Sequence, residues 1–415
     1  MKVLDGVLTL FDSLNSPELG VHPERCVLVR NKHAQCLHCA DVCASGAITF
    51  SEADGLLIDP ELCIGCGTCA TACPTCALEA LHPTDEEIAA DLTRLAAENT
   101  PEDSKPLFVS CARATKRAKD AWEAEAHRSF LKKPEGEFDP SGLIQVACLG
   151  RLDESFYAQA AVHGFHEVNL VCASCETCRY HKGGELALDV RASALNLLDA
   201  HGFTMDVDIL EEVPGELLQT GAAKGAFAYD ESRRSVLTFA NHAAQDSVQT
   251  MLELKQEAEE VPLGRRLRVQ ENGALPQFLP TRRRRIFNSL TYLGKPVYQT
   301  MKTRLWGQVS IDDDKCNSCR MCATFCPTGA LAKFDEDGNI GVDHRSYLCV
   351  QCTMCQSICP KEAITVHNEV SLSDFEEGVV QHIPMKPLDW TPNKPDSMVK
   401  KMTKFIPKGK NVSWY

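Results

Sequence analysis

Eight cysteines between Cys316 and Cys359 fall into two runs of identical spacing, and this spacing restricts the fold more than any other stretch of the chain. The runs are Cys316-x2-Cys319-x2-Cys322-x3-Cys326-Pro and Cys349-x2-Cys352-x2-Cys355-x3-Cys359-Pro. Two-residue gaps let consecutive thiolates of one tight loop face the same compact inorganic cluster. Zinc knuckles usually place one cysteine pair on each side of a long spacer, which differs from four cysteines in one short run. Disulfide frameworks are typical of small secreted domains. The spacing therefore favours iron–sulfur ligation.

The two runs together resemble the two-cluster bacterial ferredoxins. In that family the first three cysteines of a run hold one 4Fe-4S cube, and the fourth crosses over to the other cube. The resemblance therefore implies two crossed ligand sets: Cys316, Cys319, Cys322 and Cys359 for one cube, and Cys349, Cys352, Cys355 and Cys326 for the other.

Residues 22–80 repeat this pattern with changes. The runs there are Cys26-x9-Cys36-x2-Cys39-x3-Cys43 and Cys63-x2-Cys66-x2-Cys69-x3-Cys73-Pro, so the first has a longer initial gap and no proline. In both halves of the chain the two runs are linked by a strand, turn, strand pattern around Asp-Gly. By the same crossover, the resemblance implies the sets Cys26, Cys36, Cys39 and Cys73, and Cys63, Cys66, Cys69 and Cys43.

Cysteine usage and charge limit the class of protein. The 22 cysteines among 415 residues lie mostly in short-gap runs, which indicates metal ligation in a reducing compartment rather than disulfides. A net charge of −14 argues against nucleic acid as a partner. We expect a cytoplasmic protein without a membrane span, with peripheral attachment to the inner side of a membrane complex left open.

Between residues 107 and 210, apolar runs alternate with helical segments. Strands are predicted at 107–111, 143–148, 168–171 and 205–210, and helices at 112–131, 154–163 and 185–201, which is typical of a parallel α/β sheet. Cysteines follow successive strands, at the edge where such sheets place their sites. These cysteines are Cys111, Cys148, Cys172, Cys175 and Cys178.

This central segment resembles the delta subunit of methyl-viologen-reducing hydrogenase, of the hydrogenase iron–sulfur subunit family, over residues 107–184. The resemblance rests on Cys111-Ala112, Cys148-Leu149-Gly150-Arg151, and Cys178-Arg179-Tyr180 with Gly183-Gly184. It implies a 2Fe-2S cluster on four cysteines, three of them Cys111, Cys148 and Cys178. The family has its fourth cysteine where this chain has Ala173, so Cys172 and Cys175 both stay candidates. Five thiols also leave a 4Fe-4S cluster open.

The predicted fold is an α/β central domain with a parallel sheet, flanked by two α+β ferredoxin-like domains that each hold two 4Fe-4S clusters. The predicted segments are a ferredoxin-like domain at 1–84, an acidic helical connector at 85–106, the central iron–sulfur domain at 107–260, a basic linker at 261–310, a ferredoxin-like domain at 311–370 and an extended tail at 371–415. The arginines at 282–285 could dock on an acidic partner or an anionic membrane surface, or simply remain solvated.

Cys76 has no place in the ferredoxin pattern. The spacing Cys69-x3-Cys73-x2-Cys76 matches that of radical enzymes that use S-adenosylmethionine, but Cys69 and Cys73 are already assigned to cubes. No eightfold strand–helix repeat follows. We therefore expect Cys76 to be a buried thiol.

These features predict an electron-transfer subunit with four 4Fe-4S clusters and one further cluster, with 2Fe-2S preferred over 4Fe-4S for the last. No flavin, nicotinamide or nucleotide motif is present in the sequence, so we expect a non-catalytic subunit. The hydrogenase resemblance implies partners such as a hydrogenase, a formate dehydrogenase or a flavoprotein like heterodisulfide reductase. The alternatives are a thiol or disulfide reductase that uses the central cysteines, and an assembly scaffold with structural metal.

Overall fold

The computed structural model describes residues 19–51, 55–97, 99, 104–128, 138–178, 180–218, 267–336 and 339–386. A hairpin predicted around 230–234, a helix predicted at 241–260 and most of the predicted tail lie outside the described residues. Within the described ranges, no helix combines the length and the apolar character that crossing a bilayer requires.

The N-terminal module, residues 19–80, consists of short helices and two antiparallel strand pairs. Strands β1 and β4 pair with each other, and β2 pairs with β3 in the predicted strand, turn, strand arrangement. The elements are β1 (Leu19–Val21), α1 (Val27–Arg30), α2 (His38–Asp41), β2 (Ile48–Ser51), β3 (Gly55–Ile58), α3 (Thr68–Ala72) and β4 (Leu78–Ala80).

The connector after this module is helix α4 (Asp85–Ala96). It begins with a capping box, in which Thr84 accepts from the Glu87 N–H and the Glu87 side chain accepts from the Thr84 N–H. Its buried residues Ile88 and Leu92 pack into the core of the central domain. The connector is thus part of the central packing.

The central domain is a four-stranded parallel sheet in the order β6-β5-β7-β8. The predicted alternation of strands and helices is present, and the central strands have mostly buried side chains, as a parallel sheet requires. The elements are β5 (Leu107–Cys111), α5 (Ala112–Arg128), β6 (Ile144–Val146), α6 (Glu154–Val162), β7 (Glu167–Val171), α7 (His181–Ala200) and β8 (Asp206–Leu210).

The basic segment differs from the predicted linker, because it forms helix α8 (Thr281–Leu293) and packs on α6. Arg282 and Arg283 are 7% and 4% exposed. The carboxylates that pair with α8 come from the chain's own residues Asp85 and Asp153. The expectation of a solvated cluster is therefore wrong for Arg282 and Arg283, whereas Arg284 is exposed and docking on a partner stays a prediction.

The C-terminal module follows strand β9 (Thr300–Lys302) and has the same organisation as the N-terminal module. Strand β10 pairs with β13, and β11 pairs with β12, which also pairs with β15 from the start of the predicted tail. The elements are β10 (Gln308–Ile311), α9 (Met321–Phe325), β11 (Leu331–Glu336), β12 (Asn339–His344), α10 (Met354–Ser357), β13 (Ile364–His367), β14 (Glu369–Ser371), α11 (Ser373–Glu377) and β15 (Gln381–Pro384).

The two ferredoxin-type modules pack directly against each other. Val27 and Leu28 of the N-terminal module share one apolar cluster with Leu275, Phe325 and Met354. We expected the central domain to separate the two modules, and this shared core corrects that expectation. The central sheet lies beside the modules, with α7 and α8 joined to the C-terminal half through a second cluster around Trp306.

Candidate functional site

The C-terminal module has two sulfur-lined cavities. Cys316, Cys319, Cys322 and Cys359 line the first, and Cys326, Cys349, Cys352 and Cys355 line the second. We name these two groups site 5 and site 4. The fourth cysteine of each run lines the cavity of the other run, which is the grouping that the ferredoxin resemblance implies.

The N-terminal module brings its cysteines into two corresponding groups. Burial together with the neighbouring Cys73 and Cys36 thiols raises the pKa of Cys26 to about 12. Burial also raises the pKa of Cys69, and the Cys66, Cys63 and Cys43 thiols beside it contribute to the rise. We name the groups site 3, which is Cys26, Cys36, Cys39 and Cys73, and site 2, which is Cys43, Cys63, Cys66 and Cys69.

The loops around the middle cysteines have a conformation suited to an anionic cluster. Backbone φ is positive on both sides of Cys319, at Ser318 (58°) and Arg320 (53°), and on both sides of Cys352, at Gln351 (50°) and Thr353 (52°). Gly65 and Gly67 repeat this around Cys66. When residues with left-handed backbone conformation alternate with ordinary ones, successive N–H groups point into one concavity. Such concavities bind anions, as in many iron–sulfur sites. The donor set and the loops thus fit 4Fe-4S clusters, and ligation by each cysteine stays a prediction.

The irregular first run lacks these left-handed positions, since Leu37 has φ −122°. Cys26 instead is the N-cap residue of α1, and its carbonyl accepts from the Val29 and Arg30 N–H groups. The longer gap therefore delivers Cys26 from the start of a short helix rather than from the same loop as Cys36.

Cys76 occupies a turn that recurs after every run. The third residue after the last cysteine has positive φ in all four runs, at Gly46, Cys76, Gly329 and Glu362. In the second run the Ala77 N–H then donates to Cys73 Sγ at 3.2 Å. Cys76 is 4% exposed, so the predicted burial is confirmed. Aligning the four runs in the sequence would have revealed its role as a turn residue.

Site 1 lies at the carboxyl edge of the central sheet, where Cys111 ends β5 and Cys172 follows β7. The neighbouring Cys175 thiol lowers the pKa of Cys172, and Cys172 together with burial raises the pKa of Cys175. Burial raises the pKa of Cys148 to about 11, and the Cys66 and Cys111 thiols contribute to the rise. These four cysteines, Cys111, Cys148, Cys172 and Cys175, form site 1. Cys178 lies just beyond, after the short 3-10 turn Cys175–Thr177.

Two consecutive glycines line site 1 at the start of α7. A Cβ on Gly183 would overlap Cys148 Sγ, and a Cβ on Gly184 would lie 3.0 Å from Cys175 Sγ. Only residues without side chains fit beside these sulfurs. The contacts with these two sulfurs therefore explain why the first turn of α7 contains two glycines, although glycine is a poor helix former.

Neighbouring sites approach each other through specific cysteines. Charge interactions join Cys148 of site 1 to Cys66 of site 2, Cys69 of site 2 to Cys39 of site 3, Cys36 of site 3 to Cys352 of site 4, and Cys355 of site 4 to Cys322 of site 5. The five groups thus form one unbranched series, with site 1 at one end and site 5 at the other.

Two arginines adjoin site 4. Burial lowers the pKa of Arg30 to about 10, and Cys326 and Cys352 oppose that shift. Burial lowers the pKa of Arg283 to about 9, and Cys349 opposes it. Arg283 also donates from Nη2 to the Cys349 carbonyl at 3.1 Å. Site 4 therefore has positive charge on two sides.

No group of three or more His, Cys, Asp or Glu side chains in the described parts of the chain is arranged to hold a single metal ion. The cysteine groups of sites 1 to 5 are candidates for polynuclear clusters.

Two family models match the chain. A 4Fe-4S dicluster domain matches residues 308–360, and a 4Fe-4S binding domain matches residues 56–79. Both ends of the chain therefore carry 4Fe-4S ferredoxin-type domains. The central sheet lies outside both matched ranges, so its resemblance to the hydrogenase subunit stays a prediction.

One curated relative is similar to part of the chain. The isethionate sulfite-lyase activating enzyme of Nitratidesulfovibrio vulgaris is 37% identical over 76 residues, which are 18% of this chain and 24% of the relative. The chain thus spans about a quarter of the length of that relative. No solved structure matches the chain.

Proposed function

We propose that this protein is an electron-transfer subunit that carries electrons through four 4Fe-4S clusters and a fifth iron–sulfur centre. Sites 2 to 5 would hold the four cubes, and site 1 the fifth cluster. Iron–sulfur clusters supply one-electron transfer, and the protein tunes their potentials through hydrogen bonds, charge and burial.

The unbranched series of cysteine groups supports this proposal most strongly. Each site approaches the next through cysteine side chains, and the pair Cys36 and Cys352 crosses the interface between the two ferredoxin-type modules. A protein with purely structural clusters would not need them in a continuous line. The apolar core shared by Val27, Phe325 and Met354 holds the two modules in this arrangement.

Site 1 and site 5 are the ends of the proposed path, so partners would exchange electrons there. The sequence resemblance of the central segment points to a hydrogenase or formate dehydrogenase on one side and a flavoprotein like heterodisulfide reductase on the other. These partners and the direction of flow belong to the proposal.

A thiol–disulfide function for the central cysteines is a second candidate. Cys172 and Cys175 form a Cys-x2-Cys pair, and the neighbouring Cys175 thiol lowers the pKa of Cys172. A lowered thiol pKa is typical of exchange-active pairs. Cys172 is however only 8% exposed, which restricts access by a disulfide substrate.

Anaerobic spectroscopy tests the relay. The purified protein should contain about 18 to 20 iron atoms, which corresponds to four cubes and one further cluster. Partial reduction should give electron paramagnetic resonance spectra broadened by spin coupling between neighbouring clusters. Iron near eight atoms with zinc in the remaining sites would contradict the relay, and viologen-driven turnover of a disulfide would favour the second candidate.

A further inference from the structure

We propose that Cys111, Cys148, Cys172 and Cys175 are the four ligands of the iron–sulfur centre in the central domain, and that Cys178 is not a ligand. This inference rests on the proposed function and defines its fifth centre. It departs from the hydrogenase resemblance, which implies Cys178 as a ligand.

The sheet order places two of the four thiols at the position where open α/β sheets bind ligands. In the order β6-β5-β7-β8 all strands are parallel, but the chain places β6 on one side of β5 and β7 on the other. The strand order therefore reverses between β5 and β7. Ligands of such sheets bind beyond the carboxyl ends of the strands at this reversal. Cys111 is the last residue of β5, and Cys172 directly follows β7. Both therefore lie at the expected crevice.

The start of α7 brings in the other two thiols. Cys148 Sγ contacts Gly183, and Cys175 Sγ would lie 3.0 Å from a Cβ on Gly184. Gly183 and Gly184 are the third and fourth residues of α7, so both sulfurs lie against its first turn. The 20-residue helix α7 directs its partial positive charge toward these sulfurs, which favours an anionic cluster.

The positions of the remaining contacts separate Cys178 from this group. Cys111, Cys172 and Cys175 pack on the apolar core of the central domain, which among the described residues neither Cys148 nor Cys178 joins, and Cys148 lies instead against Gly183. Its N–H donates to the Cys175 carbonyl at 3.0 Å, and its carbonyl accepts from the His181 N–H at 3.1 Å. The backbone of Cys178 thus closes the turn that leads into α7, which is a structural role.

The arrangement of thiols fits a 2Fe-2S cluster, in which each iron takes two cysteine sulfurs. Cys172 and Cys175 are separated by two residues in one loop and would bind the same iron. Cys111 and Cys148 come from separate strand ends and would hold the other. The Ala114 N–H lies 3.4 Å from Cys111 Sγ and would donate to that thiolate.

Serine variants of the full-length protein test the ligand set. The variants Cys172→Ser and Cys175→Ser should each lower iron content by about two to four atoms and change or remove one spectroscopic component, while the cubes keep their signals. The matched variant Cys178→Ser should keep iron content and all spectra unchanged. Loss of the central signal in Cys178→Ser with retention in Cys172→Ser would overturn the inference.

Alkylation of the wild-type protein tests the same ligand set without any change that could prevent folding. Anaerobic treatment with iodoacetamide followed by mass spectrometry should modify Cys178 and spare Cys111, Cys148, Cys172 and Cys175. Removal of iron by a chelator should then make these four reactive. Protection of Cys178 by iron would contradict the inference.

The outcomes also separate this inference from the relay. An iron content near 16 atoms, with central thiols that react with iodoacetamide before any iron is removed, would overturn the central site. It would leave the four cubes in place. A complete set of clusters without spin coupling between neighbours would instead count against the relay, while the ligand set would stand.

Discussion

Arg282 Nε donates to Asp153 Oδ2 at 2.8 Å, and both side chains are buried where the N-terminal module, the central domain and α8 meet. Arg282 also donates from Nη2 to the Ala70 carbonyl at 2.7 Å, in the helix that carries Cys69. One buried ion pair thus ties the modules together beside the cysteine groups. Asp85 and Arg285 extend it, with Arg285 Nη1 2.6 Å from Asp85 Oδ2.

The first prediction concerns this ion pair. Replacing Asp153 with Asn leaves the Arg282 charge buried without its partner, which should lower the free energy of unfolding by about 3 to 5 kcal/mol. Urea unfolding of the anaerobic protein, followed by fluorescence, measures the change. The exposed pair Arg117–Glu212, at 4.0 Å, supplies the control, and Glu212→Gln should change stability by about 0 to 1 kcal/mol. Equal effects of the two substitutions would refute the assigned role of Asp153.

The second prediction concerns Gly183, which lies beside the Cys148 sulfur of site 1. The variant Gly183→Ala should weaken or displace the central cluster, because the new methyl group overlaps Cys148 Sγ. Iron content should fall by about two to four atoms, with the cubes unaffected. Gly215→Ala is the matched control, since no atom lies within 4 Å of a Cβ at that position. A Gly183→Ala protein with a full complement of iron would contradict the geometry.

Much of the central fold could be predicted from local sequence pattern. The strand expected at 107–111 is Leu107–Cys111, and the helix expected at 154–163 is Glu154–Val162. Here the apolar period and the Asp153 cap agree with the tertiary structure. The start of α7 was expected at residue 185 but lies at His181, because two glycines argue against a helix locally. The two glycines leave room for the Cys148 and Cys175 sulfurs, a contact that local sequence pattern does not show.

The basic segment shows what local pattern cannot provide. Four consecutive arginines predict exposure, since charged side chains are rarely buried without partners. Arg282 and Arg285 pair with Asp153 and Asp85, which precede α8 by more than a hundred residues in the sequence, so no local signal announces the pairing. The contact between the modules has the same origin, because Leu275 and Phe325 are ordinary apolar residues until the fold brings them against Val27.

The third prediction concerns the potential of the cluster at site 4. The variant Arg283→Met should shift its midpoint potential to more negative values, because a buried positive charge favours the reduced, more negative cluster. We expect a shift on the order of 50 mV, or about 1 kcal/mol for one electron. Redox titration followed by electron paramagnetic resonance measures it. Arg117→Met, on the exposed face of α5, is the control and should leave every potential unchanged. A positive shift in Arg283→Met would be incompatible with the assigned electrostatic role.

The fourth prediction concerns pH dependence in the C-terminal module. Burial lowers the pKa of His344 on β12 to about 4, from about 6.5 in an unfolded chain. The unfolded state therefore binds a proton at a higher pH than the folded state. Stability from the neutral histidine is complete above pH 6.5 and is lost as pH falls from there toward 4.

Between pH 7 and pH 5 this loss of stability should reach about 2 kcal/mol. Most carboxylates titrate at a lower pH, about 4, and therefore contribute less in this window. The variant His344→Gln should lose that part of the pH dependence, whereas His382→Gln, at a side chain 63% exposed, should keep it. Chemical denaturation at pH 5, 6 and 7 under anaerobic conditions gives the three curves. Parallel pH profiles for the wild type and His344→Gln would show that His344 is not the titrating group.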